Sequence, residues 1–167
     1  MKLSSALKSA VPVAVLGLLA LVLAPTPAEA TTATTTFAVS ATVQATCSVT
    51  ATAMAFGTYS STAASNSSST VSVSCTNTTP YTIGLDAGLT AGATVTTRQM
   101  KNGSALLNYA LYSDSGRTTN WGNSTGSWVS GTGNGAAQAL TVYGQVATGQ
   151  YVTPGSYSDT ITATVTY

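Results

Sequence analysis

The chain has 167 residues, with five Lys and Arg against four Asp and Glu and no histidine. Charged residues make up 5% of the sequence and hydrophobic ones 44%, so there is no basic face to neutralise phosphates, and nucleic-acid binding is excluded. Without histidine, neither Ser-His-Asp nor Cys-His catalysis can be assembled.

The chain opens on Lys2 and Lys8, followed by an apolar run over Ala10–Ala24 and then Ala28-Glu29-Ala30. A positive start, a short apolar centre and small residues at the cut are the parts of a secretory signal peptide. The run is short for a membrane span and has no charged flank behind it. Residues 1–30 are therefore read as a cleaved export signal. The remainder, Thr31–Tyr167, suits one domain. It carries Arg98, Lys101 and Arg117 against Asp86, Asp114 and Asp159, a formal balance of 3 − 3 = 0. Low net charge favours association between like molecules.

The stretch Phe37-Ala38-Val39-Ser40-Ala41-Thr42-Val43 places an apolar residue at every second position, the pattern of a strand with one buried face. Cys47-Ser48-Val49 begins another extended piece. The only cysteines are Cys47 and Cys75, and an even count in an exported chain implies a disulfide. A metal site would lack histidine ligands, and no basic neighbour would activate either thiol. The bridge should stabilise the fold by about 3–4 kcal/mol.

Further along, Phe56-Gly57-Thr58-Tyr59 marks a bend, and Ser60–Thr70 reads as a low-complexity loop. Val71, Val73 and Cys75 form a half-buried strand, and Tyr81, Ile83 and Leu85 share another face. Arg98 and Lys101 are expected to be solvated turn charges beside Asn102-Gly103, a strong hairpin signal. Leu107, Tyr109 and Leu111 lie on one side of the next strand, which ends at Tyr112. Ser113–Gly135 reads as a long loop or hairpin holding Trp121 and Trp128, whose faces could pack or could bind a sugar ring. Leu140, Val142 and Val146 belong to a further strand.

Thr153-Pro154-Gly155-Ser156 is a turn, after which Ile161, Ala163, Val165 and Tyr167 alternate with threonines. Asp86, Asp114 and Asp159 each fall at a turn or strand start, where aspartate bonds local backbone. No catalytic pair, metal cluster or cofactor is assigned from them. About seven short strands and no sustained helical period indicate an antiparallel β-sandwich. The last apolar-faced strand has no partner after it in the sequence, while a similar strand stands at the start behind a flexible lead. Pattern alone leaves two readings open: donation of the first strand to another copy, or closure of the chain on itself.

The ordered series Phe37-x-Val39-x-Ala41-x-Val43, Cys47, Phe56-Gly57-x-Tyr59, Val71-x-Val73-x-Cys75-Thr76, Arg98-x-Met100, Leu107-x-Tyr109-x-Leu111-Tyr112-x-Asp114, Trp121-Gly122, Val142-Tyr143-Gly144 and Gly155-x-Tyr157-x-Asp159-Thr160 resembles the spore coat protein U domain family. These are subunits of archaic chaperone–usher pili. The resemblance implies an all-β fold, an incomplete immunoglobulin-like antiparallel β-sandwich lacking its last strand. It divides the chain into residues 1–30 as signal, 31–46 as donor segment and 47–167 as pilin domain. Phe37, Val39, Ala41 and Val43 would be donor plugs, with Ala41 the small one. Ile161, Ala163, Val165 and Tyr167 would lie on the last strand beside the acceptor groove. The Tyr167 carboxylate would anchor a basic chaperone residue, and Cys47 and Cys75 match the family's disulfide.

The implied partners are other copies of the chain or related pilins, a periplasmic chaperone and an outer-membrane usher, with the product on the cell surface. Fibre building for adhesion and biofilm formation is the function expected, without enzymatic activity. The alternatives are a monomeric secreted lectin-like sandwich using Trp121 and Trp128, or a spore or cell coat matrix protein.

Overall fold

The computed structural model describes residues 27–167, so most of the expected export signal lies outside the described residues. Two units are distinguished, one reaching Ser40 and one comprising Ala41–Tyr167. In the first, 27–40 has no regular secondary structure and is exposed throughout. In the second, residues 41–46 are likewise without a strand. The folded body begins at Cys47.

It contains eight strands: β1 (Cys47–Ala51), β2 (Ser65–Cys75), β3 (Pro80–Leu85), β4 (Arg98–Asn102), β5 (Ala105–Tyr112), β6 (Val129–Thr132), β7 (Ala137–Val146) and β8 (Ala163–Thr166). They form a five-stranded sheet ordered β1-β2-β7-β5-β4 and a three-stranded sheet ordered β6-β3-β8, with antiparallel pairing throughout. The alternation seen in the sequence becomes the core. Val71 and Val73 of β2, Ile83 and Leu85 of β3, Leu107 and Leu111 of β5, and Val142 and Val146 of β7 are all buried. Successive side chains of a strand point to opposite faces, so each strand delivers every second residue to this layer.

Cys47 and Cys75 sit directly opposite each other on β1 and β2 and are disulfide-bonded. The β4–β5 hairpin joins Asn102 to Ala105 across Gly103-Ser104. Gly103 has φ 60° at the first central position, as a two-residue II′ turn requires. The turn thus centres one residue later than the Asn-Gly pair implied.

The structure corrects three expectations. Ser65–Thr70 is not loop but the first half of β2, paired with β7 from Ser65↔Val146 to Thr70↔Thr141. Backbone pairing along a long central strand outweighs the weak strand preference of serine. The stretch Ser113–Gly135 contains β6, which pairs with β3. Arg98 is not a solvated turn charge. It is 0% exposed, and its guanidinium donates to four carbonyls: Asp86 through Nε (2.7 Å), Val95 through Nη1 (2.7 Å), and Leu85 (3.0 Å) and Trp121 (2.7 Å) through Nη2. A planar five-donor group can join several chain segments at once, and a buried charge requires such satisfaction. Lys101 is exposed, as expected.

Candidate functional site

β1 pairs with β2 only and β8 with β3 only, so each presents a free strand edge among the described residues. Between the chain that leaves β1 and the chain that enters β8 lies an open groove. Its first wall is residues 51–59. Thr52 N donates to Thr70 O at 2.9 Å, and Thr70 N donates to the Thr52 hydroxyl at 2.9 Å. Beyond this point the wall is held by side chains. The Ser67 hydroxyl donates to Ala55 O and the Ser65 hydroxyl to Phe56 O, each at 2.7 Å. The chain then turns at Gly57, φ 68°, and Tyr59 anchors the end by donating its hydroxyl to Ala147 O at 2.8 Å.

The second wall crosses from one sheet to the other. Ser158 exchanges backbone hydrogen bonds with Lys101 of β4, on the larger sheet, at 2.9 and 3.1 Å. Four residues later Asp86, just past β3 of the smaller sheet, takes over. Its N–H donates to Thr162 O at 3.1 Å and its carboxylate accepts from Thr162 N at 2.9 Å. Between these clamps, Asp159 accepts from Leu89 N at 2.9 Å and from the Tyr109 hydroxyl at 2.7 Å. Burial, then the hydrogen bond to Asp159, pushes the Tyr109 hydroxyl far above its ordinary pKa, keeping it a donor. Burial lowers the pKa of Arg98, opposed by its neighbours Tyr109, Asp86 and Asp159. Asp86 and Asp159 therefore do more than the expected local turn bonding: they fasten the second wall. Asp114 does cap its own turn, accepting from Thr118 N and Thr119 N, and the Thr119 backbone bond leads in drawing its pKa down.

The floor of the groove is the hydrophobic core itself. One cavity of about 390 Å³ is lined by Val71, Leu85, Leu111 and Val142 from below and by Ile161 and Ala163 from the side. A second, of about 870 Å³, reaches Leu107, Val146, Val152 and Tyr151. Met54, Phe56, Met100 and Tyr157 line both. Met54 and Phe56 enter where β7 carries Gly144, at which a Cβ would fall 2.3 Å from the Met54 sulfur and 2.8 Å from the Phe56 ring. The Phe56 ring meets Tyr109 edge-on, with centroids 5.9 Å apart. A cleft lined by half-buried apolar side chains packed on the core, beside two unpaired strand edges, has the form of a site for an extended peptide.

The expected site residues fall into three groups. Phe37, Val39 and Val43 are 85%, 84% and 86% exposed and Ala41 is exposed, with no strand formed. Ile161 and Ala163 line the groove, Val165 is half-buried against the core, and Tyr167 is exposed. Trp121 and Trp128 do not form a paired aromatic face. Trp121 is 1% exposed and donates its indole N–H to Ile83 O at 2.9 Å, while Trp128 is partly exposed. The sugar-platform reading of Trp121 is corrected: a large ring with one satisfied donor serves as core here. The first wall was missed by sequence reading. Its signal is the register of β2, in which Ser65, Ser67 and Ser69 continue the row of Val71 and Val73.

The Spore Coat Protein U domain model matches residues 33–164. The chain belongs to the Spore Coat Protein U domain family. It is similar to Protein U of Myxococcus xanthus, 41% identical over 83 residues, covering 48% of this chain and 45% of that protein. A solved structure also matches. It is a chain of the chaperone–tip adhesion subunit pre-assembly complex from the archaic chaperone–usher Csu pili of Acinetobacter baumannii. The TM-score is 0.53 and the identity 26%, over 75% of this chain and 40% of that one. The family domain here is thus an immunoglobulin-like sandwich, and it spans less than half the length of either relative.

Proposed function

We propose that this Spore Coat Protein U domain is a structural subunit of a chaperone–usher type pilus, exported through the periplasm and polymerised by strand donation between copies. The observation that carries the reading is the groove, whose floor is core and whose two walls end in free strand edges. Phe37, Val39, Ala41 and Val43 of a neighbouring copy supply an alternating apolar strand of the kind that such a groove accepts. Each larger plug buried there contributes about 1.5–3 kcal/mol, and backbone pairing on both edges adds to it. Before assembly, a strand lent by a periplasmic chaperone holds the groove. An outer-membrane usher then directs the exchange. Surface adhesion and biofilm formation are the roles such a fibre serves.

Deleting residues 31–44 tests the proposal directly. The truncated subunit should remain bound to a chaperone or stay soluble without forming fibres, as judged by electron microscopy and by denaturant-resistant ladders on gels. Fibres of ordinary length from this variant would overturn strand donation. The family's own description favours one second setting, in which the same joint builds a coat layer rather than a pilus. Immunogold labelling separates the two, since a coat gives a continuous surface layer and a pilus gives projecting filaments.

A further inference from the structure

On the outer face of the larger sheet, away from the groove, Tyr112 of β5 stands directly opposite Tyr143 of β7. Leu111 and Val142, next to them along the chain, point into the core, so both rings lie on the outward side. Each is half-buried. Tyr59, Tyr109 and Tyr157 tie their hydroxyls to Ala147 O, Asp159 and Thr153 O, whereas those of Tyr112 and Tyr143 have no partner among the described residues. The cross-strand row continues through Ser68, opposite Tyr143, and Asn120, bridged to Tyr112. In the next row the Gln145 amide donates to Asn66 Oδ1 at 3.0 Å. Arg117 lies over this patch, its guanidinium carbon 5.9 Å from the Tyr143 ring centroid. Its φ is 57°, a backbone conformation that arginine rarely adopts and that is retained where a side chain must be aimed.

We propose that this face binds an acidic polysaccharide, with a uronate carboxylate on Arg117 and the C–H faces of the sugar rings on Tyr112 and Tyr143. Arg117 donates to Gly144 O and Ser115 O, each at 3.2 Å, which leaves other N–H groups of the guanidinium for an incoming carboxylate. The nearby Asp114 carboxylate is turned into its own loop, on Thr118 N and Thr119 N. The outward positions of β2, β5 and β7 carry no charged residue, so the cation stands on a face without a counter-charge. Charge complementarity therefore favours an anion. The same positions hold hydroxyls, amides, alanines and the two tyrosines, with Leu106 as the one large aliphatic side chain. A protein partner would require an apolar centre to bury, whereas a sugar chain needs flat rings and groups that both donate and accept.

The test compares binding of the full chain to polygalacturonate and to dextran, by affinity electrophoresis at low salt. The uronate polymer should bind at least about tenfold more tightly than dextran, as a charge-assisted contact allows. Arg117→Gln should abolish that preference. Tyr143→Ala should weaken uronate binding about tenfold, while Tyr143→Phe, which keeps the ring, stays within about threefold of the parent. Arg117 and Tyr143 also touch the fold, so Ser68→Glu supplies an independent arm. Ser68 is exposed and its hydroxyl has no partner among the described residues. A carboxylate there, opposite Tyr143, should weaken uronate binding by about threefold or more through repulsion. Equal retention by the two polymers, or uronate binding indifferent to Arg117→Gln, Tyr143→Ala and Ser68→Glu alike, would overturn the proposal. Retention by neither polymer would also overturn it, and a change in sedimentation of the Ser68→Glu chain would then assign the face to contact between copies.

Discussion

Arg98 organises the molecule at the scale of a single side chain. The sequence offers it beside a turn, with Asp86 twelve positions away, and nothing in the local pattern marks it as buried. In the fold it collects carbonyls from the end of β3, from the loop before β4 and from the Trp121 segment. Leu85, whose carbonyl is one of the four, also forms part of the groove floor. Arg98→Met should lower stability by at least about 3 kcal/mol, because several buried carbonyls lose charged donors together. Urea denaturation of the isolated chain measures this. A loss below about 1 kcal/mol would mean that water replaces the guanidinium. Arg98→Lys should not rescue, since a single ammonium cannot span four acceptors.

At the scale of the element, β2 carries two jobs on one row. Val71, Val73 and Cys75 fill the core, whereas Ser65 and Ser67, earlier in the same row, reach up to the carbonyls of Phe56 and Ala55. Valine there would bury more area but leave those carbonyls without donors. The first groove wall thus depends on hydroxyls. Replacing both serines with alanine should cost about 1–3 kcal/mol in all. Limited proteolysis should then cut chiefly within residues 53–58 rather than across the core. Uniform loosening of the whole sheet would instead assign these serines to the body of the fold. The low-complexity look of Ser60–Thr70 concealed this, because serine suits both loops and hydroxyl-bearing strand rows.

The folded body from Cys47 onward is a sandwich in which the chain entering β8 passes from one sheet to the other. Ser158 bridges to β4 while β8 pairs with β3, and the crossing between them lines a groove beside β1 whose floor, Val71, Leu85, Leu111 and Val142, stays buried. An apolar cleft beside free strand edges is a feature that proteins ordinarily cover, which is why the proposed function fills it with a strand from another copy. Under the proposed strand donation, Val39→Asp sets a carboxylate against that apolar floor and should weaken each joint by about 2–4 kcal/mol. The denaturant midpoint for fibre dissociation measures it, and an unchanged midpoint would show that Val39 is not buried in the joint. The isolated body should keep its own stability in the same variant, because the site of change is exposed there.

By itself the sequence determined whatever rests on period and count. Alternation at Val71–Cys75, Tyr81–Leu85 and Leu107–Leu111 specified strands and their buried faces, since a strand shows every second residue to one side. A lone pair of cysteines specified the bridge, and the ordered motifs specified the family. Tertiary structure alone decided the fate of residues whose chemistry suits more than one place. Arg98 went inward because four carbonyls converge on it, Trp121 went inward because Ile83 O accepts its N–H, and the serines of β2 became a wall because Ala55 and Phe56 lie above them. Polar side chains are placed by their partners, and those partners lie far away along the chain.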